Sequence, residues 1–160
     1  MTDISLMQEA MAQASAALAL EEVPVGCVVL HIPTDKIIGR GHNRRESDAD
    51  PTAHAEILAL RDAAAAMGSW RLSECAMAVT LEPCPMCAGA MIHSRLERLV
   101  WGAPDLRCGA HGSWVNLLEA GHPIHQLSAA SGVMEEKSAD LMRTFFKNRR
   151  MEKHDGEIIR

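Results

Sequence analysis

Residues 75–103, CAMAVTLEPCPMCAGAMIHSRLERLVWGA, contain the pattern that decides the fold. The apolar run 75–81 predicts a buried strand, and a turn bounded by prolines follows it. Residues 85–96 then predict a helix with proline in its first turn, and the apolar run 98–103 predicts another strand. Strands that alternate with helices are typical of an α/β domain, because the helices cover the faces of the sheet.

The remaining elements follow from helical or strand periodicity on either side of this segment. They are a helix over 6–18, strands over 23–32 and 36–43 joined as a hairpin, a helix over 53–67, a weaker strand over 124–131 and a final helix over 135–153. Asp3 or Ser5 is expected to cap the first helix. Thr52 or Asp50 is expected to cap the helix over 53–67, which Gly68 ends. The predicted architecture is a three-layer α/β/α fold with a mixed five-stranded sheet.

The composition is that of a globular protein. The 160 residues are 48% apolar and 23% charged, and this length suits a single domain over 1–160. The formal net charge of -5 argues against a general nucleic-acid binder, although residues 141–160 contain six Arg and Lys against three Asp and Glu. The first residues lack the basic start of a signal peptide, and no apolar run is long enough to span a bilayer. Together with an odd number of cysteines, these features predict reduced thiols and a cytoplasmic protein with no membrane partner.

Two short motifs contain residues suited to metal chemistry. His54-Ala55-Glu56 is weak by itself, since a histidine beside a glutamate on a helix is usually solvated. Cys84 and Cys87 form a Cys-x-x-Cys motif, which alone fits half of a structural zinc site, a redox dithiol or chance. No thioredoxin-like context surrounds the motif, and a structural zinc site would need a fourth protein ligand.

The two motifs together are more specific. Each lies at the predicted N-terminus of a helix, where the helix dipole lowers the pKa of a thiol. One histidine and two cysteines supply three ligands and leave a fourth position for water, which is typical of a catalytic zinc site. Imidazole and thiolate donors favour Zn²⁺, one per subunit. Glu56 is expected to act as the proton shuttle for the zinc-bound water.

The chain also resembles a known family. H-x-E followed by P-C-x-x-C is the signature of zinc deaminases. The strings DPTAHAEILALR, VTLEPCPMCAGAMIHSRLERLVWGA and FFKNRR resemble bacterial tRNA-specific adenosine deaminases (the TadA family) of the cytidine/deoxycytidylate deaminase superfamily. The resemblance covers about residues 23–150 and implies the cytidine-deaminase fold, a homodimer and a tRNA anticodon stem-loop as partner. It implies hydrolytic deamination of adenosine to inosine at the wobble position, with attack at C6 of the base.

The resemblance also implies the roles of individual residues. His54, Cys84 and Cys87 match the zinc ligands, and Glu56 matches the proton shuttle. The positions that match substrate contacts are Asn43 at the target base, Asp105 near the sugar of a flanking nucleotide, and Phe145, Phe146, Lys147, Arg149 and Arg150 at the anticodon loop. From the residues alone, the terminal segment could also be an exposed basic helix end, and Asn43 and Asp105 could be ordinary loop residues. Cys108 is expected to stay free, and the role of His111 is open.

Two other functions remain possible on the sequence alone. A deaminase of a free nucleobase or nucleoside, of the guanine or cytosine type, would use the same zinc chemistry. The basic, aromatic segment 145–150 and the long polar loop over 102–113 argue against it. A non-catalytic RNA-binding or zinc-structural module is the third possibility. A glutamate where a proton shuttle is needed, and a site with only three ligands, argue against that function.

Overall fold

The computed structural model describes residues 1–119 and 121–158, and its side chains are described through residue 152. In chain order its helices and strands are α1 Asp3–Ala19, β1 Gly26–His31, β2 Lys36–His42, α2 Ala55–Met67, β3 Cys75–Leu81, α3 Pro85–His93, β4 Arg98–Ala103, β5 Ser128–Ala130 and α4 Glu135–Ile158. This order confirms the predicted one. The fifth strand is much shorter than predicted, and the last helix continues past residue 153. The expected domain over 1–160 also includes residues 120 and 159–160, which lie outside the described residues.

The strands form one mixed five-stranded sheet, as predicted, and their order is β2-β1-β3-β4-β5. Strand β1 runs antiparallel to both of its neighbours, β2 and β3. Strands β3, β4 and β5 run parallel to one another. Parallel neighbours need a crossover, and α3 provides the one between β3 and β4. The Cys-x-x-Cys motif lies at the junction of β3 and α3, and His54-Ala55-Glu56 lies at the start of α2.

Helices cover both faces of the sheet. On one face, Leu6 of α1 packs with Val28 of β1, and the hydroxyl of Ser138 in α4 donates to the sulfur of Met11 in α1. The other face is covered by α2 and α3, whose buried residues there are Ala55, Ala59, Leu60, Ala63, Cys87, Ala88, Met91 and Ile92. This arrangement confirms the three layers. Within the described residues, none of the helices combines the length and apolar character needed to cross a bilayer.

The predicted cap of α1 is wrong. The helix begins at Asp3, and the hydroxyl of Thr2 before it accepts the amide hydrogen of Ser5 at 3.2 Å. Asp3 lies in the first turn instead, where its two carboxylate oxygens each accept a hydrogen bond from Arg98 at 2.6 Å. Asp3 therefore connects α1 to the start of β4 and is not available as a cap.

The predicted cap of α2 is also wrong. The amide and hydroxyl of Thr52 both donate to the carboxylate of Asp50 within the turn that precedes the helix. His54 lies at the cap position, and its side chain makes no capping bond. Its imidazole is therefore available for a contact outside the helix. Gly68 ends α2 in the left-handed region, at φ 63°, as predicted.

Helix α2 lies directly on β2 at Gly41. A β-carbon at this position would lie under 3 Å from the carbonyl oxygen of Ala55 and the amide nitrogen of Ala59. Both are backbone atoms, so the helix itself would have to move. We expect Gly41→Ala to lower the free energy of unfolding by about 2 kcal/mol, as overpacked cores do. Denaturant unfolding measures this change, and an unchanged midpoint would contradict the close approach.

Candidate metal centre and active site

His54, Cys84 and Cys87 come together where two helices begin. His54 directly precedes α2, Cys84 directly precedes α3, and Cys87 lies in the first turn of α3. The Nδ1 atom of His54 lies 3.6 Å from the Sγ atom of each cysteine. The amide of Ala88 donates to the carbonyl oxygen of Cys84 at 2.9 Å, so the first turn of α3 sets the spacing of the two thiols.

These distances suit a tetrahedral metal site. With Zn–S bonds of about 2.3 Å and Zn–N bonds of about 2.1 Å, neighbouring donors are about 3.6 Å apart. The donor atoms of His54, Cys84 and Cys87 all lie within 4.8 Å of one another. One imidazole and two thiols are donors that zinc prefers, and three donors leave one corner of a tetrahedron for a reacting molecule. Cys108 is a free, exposed cysteine outside this group, as expected.

The two thiols differ in their readiness to ionise. A hydrogen bond from Cys87 lowers the pKa of Cys84 to about 4, against the opposing effect of burial, and His54 adds a second hydrogen bond. The hydrogen bond to Cys84 raises the pKa of His54, against the opposing effect of burial. The same interaction with Cys84, together with burial, raises the pKa of Cys87. Cys87 therefore gives up its proton when a cation binds, which couples metal binding to proton release.

Glu56 lies in the first turn of α2 and is only 4% exposed. Burial raises the pKa of its carboxyl from 4.5 to about 7, while the nearby His54 acts in the opposite direction. The carboxyl lies close enough to Cys87 to form a hydrogen bond with it, yet it does not belong to the group of metal donors. A carboxyl that titrates near neutral pH beside a metal site is suited to accept a proton and return it.

The stability of the metal-free protein should depend on pH through Glu56. Because its pKa is raised from 4.5 to about 7, the folded chain binds more protons than the unfolded chain between those values. The stability that this group contributes is complete below about pH 4.5 and is lost as the pH rises through about 7. Glutamine does not ionise, so in chelator-treated protein Glu56→Gln should raise Tm more at about pH 8 than at about pH 5. Thermal unfolding at both pH values tests this, and an equal change at both would contradict it.

Comparison with known proteins identifies the family. Residues 1–103 match the family model of the cytidine and deoxycytidylate deaminase zinc-binding region. The chain belongs to this deaminase family. The matched region contains all three metal donors and Glu56, so the protein is a zinc-dependent deaminase, a hydrolase.

Individual relatives of this deaminase are also informative. It is 43% identical to the tRNA-specific adenosine deaminase of Bacillus subtilis (strain 168), over 92% of this chain and 90% of the relative. It is 42% identical, over 92% of its length, to the chloroplastic tRNA(adenine(34)) deaminase of Arabidopsis thaliana, of which it spans 12%. A structure solved in studies of A-to-I editing by tRNA:A34 deaminases has a TM-score of 0.80 and 38% identity. That match covers 86% of this chain and 98% of the other. These similarities confirm the α/β/α deaminase fold.

In the deaminase, Asn43 follows β2 and is 7% exposed. The amide of Arg44 donates to the carbonyl oxygen of Ala53 at 3.0 Å, which brings this segment beside the start of α2. The side-chain Nδ2 of Asn43 donates to the carboxylate of Glu22 and to the carbonyl oxygen of Val23, each at 3.4 Å. Sequence reasoning missed Glu22, whose one signal is an acidic residue directly before an apolar run.

Asp105 lies in the loop that follows β4 and is half-buried. Its carboxylate accepts the amide hydrogens of Arg107 at 3.1 Å and Cys108 at 3.2 Å, which closes a turn. Its own amide donates at 3.0 Å to Glu82, a second buried acid that sequence reasoning missed. The one sequence signal for Glu82 is its position between an apolar strand and the Pro-Cys pair.

The structure gives His111 a structural role in the deaminase. The indole Nε1 of Trp101 in β4 donates to Nδ1 of His111 at 2.9 Å. The other ring nitrogen therefore carries a proton, and it lies 3.3 Å from a carboxylate oxygen of Glu119. His111 thus holds the far end of the loop against the sheet.

The five residues of α4 that are predicted to contact the anticodon loop do not lie together on one exposed surface. Phe145 is only 8% exposed. Arg149 donates to the carbonyl oxygen of Glu21 at 3.0 Å, and its guanidinium carbon lies 5.5 Å from the centre of the Phe145 ring. These two residues dock α4 against the end of α1, which leaves the Phe145 ring little surface for stacking on a base. Of the other members, Phe146 is half-buried, and Lys147, Arg149 and Arg150 are exposed.

Proposed function

We propose that this deaminase converts adenosine to inosine by hydrolysis at the wobble position of a tRNA anticodon. One arrangement carries the proposal: a three-donor metal site with one open corner and the buried carboxyl of Glu56 beside it. The substrate is supported by the relatives, because the Bacillus and Arabidopsis proteins are named for deamination of tRNA. These likenesses extend over 92% of the chain, and they favour tRNA over a free nucleobase.

The chemistry needs one nucleophile and two proton transfers. When bound, zinc acts as a Lewis acid that lowers the pKa of a water molecule and so supplies the nucleophile. Glu56 accepts a proton from this water and delivers it to N1 of the adenine while the oxygen bonds to C6. Glu56 then takes the remaining hydroxyl proton and passes it to the amino group, which leaves as ammonia. In the metal-free chain, burial raises the pKa of Glu56 to about 7, so its carboxyl holds a proton more readily than an exposed glutamate and is suited both to accept and to return one.

Residues around the site would hold the RNA. Asn43 lies beside the start of α2, and because its Nδ2 group donates to Glu22 and Val23, its Oδ1 is the atom that meets the target base. Asp105 lies at a flanking nucleotide. Lys147 and Arg150 are exposed on α4 and offer positive charge to phosphates of the anticodon loop, and the half-buried Phe146 offers ring surface to a base. On a chain with a net charge of -5, this local positive surface gives RNA a preferred place to bind.

The same proposal includes the assembly and location of the protein. We expect one deaminase domain over 1–160 that forms a homodimer. Met86, next to the metal ligand Cys87, is 37% exposed, and Trp114 is 62% exposed, so a second copy would have apolar surface to cover. A site that depends on two reduced thiols suits the cytoplasm, where tRNA is also found.

The decisive experiment compares substrates with the zinc-loaded protein. Anticodon stem-loops with adenosine, cytidine or guanosine at the wobble position are incubated with enzyme, then digested and analysed for nucleosides. Inosine is expected only from the stem-loop with wobble adenosine. Free guanine and cytidine serve as competing substrates, and turnover of either one, without inosine formation in the stem-loop, would refute the proposal.

A further inference from the structure

Glu82 is a buried acid that the zinc chemistry does not use. It directly follows β3, lies two residues before Cys84 and is 2% exposed. One carboxylate oxygen accepts the amide hydrogens of His111 at 2.9 Å and Ser113 at 3.2 Å. The other accepts the amide hydrogen of Asp105 at 3.0 Å and the hydroxyl hydrogen of Ser113. All four donors belong to the loop over 104–113, so a single carboxylate gathers both ends of this loop.

The loop is shaped to receive this carboxylate. A β-carbon on Gly109 would lie under 3 Å from the carboxylate atoms of Glu82, so the backbone approaches more closely than any other residue type allows. Next to it, the amide of Ala110 donates to the carbonyl oxygen of Pro83 at 2.8 Å. The loop therefore rests on the short segment that leads into the metal ligands.

Glu82 determines where the loop lies, and not its internal shape. The turn at Asp105 closes itself, because its carboxylate accepts two amides and its carbonyl oxygen accepts the amide hydrogen of Gly109 at 2.8 Å. Without the bonds to Glu82, this turn would persist, and the loop would be held beside Cys84 by fewer contacts, chiefly the Ala110–Pro83 and Trp101–His111 hydrogen bonds. The metal donors are held by the first turn of α3, so their spacing does not depend on Glu82.

We infer that Glu82 is a positioning residue for RNA: it fixes the loop over 104–113 beside the zinc site so that Asp105 meets the nucleotide next to the target adenosine. This inference rests on the proposed function for its substrate. It predicts that Glu82 acts on substrate binding, and that it leaves the metal content and the chemical step unchanged.

The test is Glu82→Gln, which keeps the size of the side chain but turns an NH₂ group toward donors that need an acceptor. We expect KM for the wobble-adenosine stem-loop to rise roughly tenfold, the factor that 1.4 kcal/mol gives, with kcat within about twofold of the wild type. Zinc content should stay at that of the wild type. Amide hydrogen exchange should become faster at Asp105, His111 and Ser113.

Matched variants separate positioning from general destabilisation. Asp62→Asn makes the same change at a carboxylate that accepts the amide hydrogen of Arg40 in β2 at 2.9 Å, far along the chain from the loop. It should leave KM and exchange in the loop unchanged. Ser113→Ala removes one of the four donors to Glu82 and should raise KM in the same direction by less, even if Glu82→Gln fails to fold.

Two results would overturn the inference. One is an unchanged KM in Glu82→Gln, and the other is loop amides that exchange as slowly as in the wild type. A loss of zinc without a change in KM would give Glu82 a role at the metal instead. If the wild type forms no inosine, the proposed function fails, and amide exchange then decides by itself whether Glu82 holds the loop.

Discussion

Glu56→Gln is expected to lower kcat for inosine formation by about 10³-fold, within the range that general acid–base catalysis contributes. Glutamine has nearly the same size as glutamate and fills the same buried position, but it cannot accept a proton from the attacking water. Because Glu56 does not belong to the donor group, zinc content should remain that of the wild type. Single-turnover measurement of inosine, together with metal analysis of the same preparation, tests both parts.

The matched control for Glu56 is Glu97→Gln, an exposed glutamate before β4. The control should retain wild-type kcat, since its side chain lies on the surface. If Glu56→Gln kept more than a tenth of the wild-type kcat, another group would have to move the protons, and the proposed mechanism would be wrong.

Cys84→Ser should abolish both zinc binding and activity. The pKa of Cys84 is lowered to about 4 in the metal-free protein, so this thiol is ready to bind a cation as thiolate. A serine hydroxyl does not ionise near neutral pH and is a poor ligand for zinc. Serine is a favoured residue at a helix N-cap, which is the position of Cys84 before α3, so the helix should still form. Metal analysis after dialysis is expected to show zinc at background.

Cys75→Ala is the control for the loss of a thiol. Cys75 begins β3, and burial raises its pKa to about 11, so it stays protonated and does not compete for zinc. This variant should retain the zinc content of the wild type and its inosine formation. Zinc retained in Cys84→Ser at the wild-type level would contradict the assignment of Cys84 as a ligand.

The metal site could be predicted from the sequence because its parts are local. Cys84 and Cys87 are separated by less than one helical turn, and His54 and Glu56 begin a helix with strong helix formers. The cap of α2 was predicted wrongly for a related reason. Thr52 and Asp50 are residue types that often cap helices. The cap position of α2 is instead occupied by His54, whose imidazole contacts the two cysteines and makes no capping bond.

Other parts of the site could not be predicted, because they depend on contacts between distant segments. Glu82 accepts hydrogen bonds from residues more than 20 positions later, and most of these donors are backbone amides that no residue pattern reveals. Glu22 likewise accepts a hydrogen bond from a distant residue, the side chain of Asn43, and β1 and β2 lie between the two in the chain. Phe145 appeared as part of a basic, aromatic segment, and its burial depends on how α4 packs against the end of α1.

The way Glu82 holds its loop has a consequence for evolution. Three of its four hydrogen bonds come from backbone amides, which every residue type except proline supplies. Between these anchors, Leu106 is 79% exposed, and Arg107 and Cys108 are exposed as well. Mutations at these three positions would change the side chains that the loop exposes while its backbone stays in place. On the inferred contact between this loop and the RNA, substrate preference is expected to change one residue at a time, under selection that leaves the zinc chemistry intact.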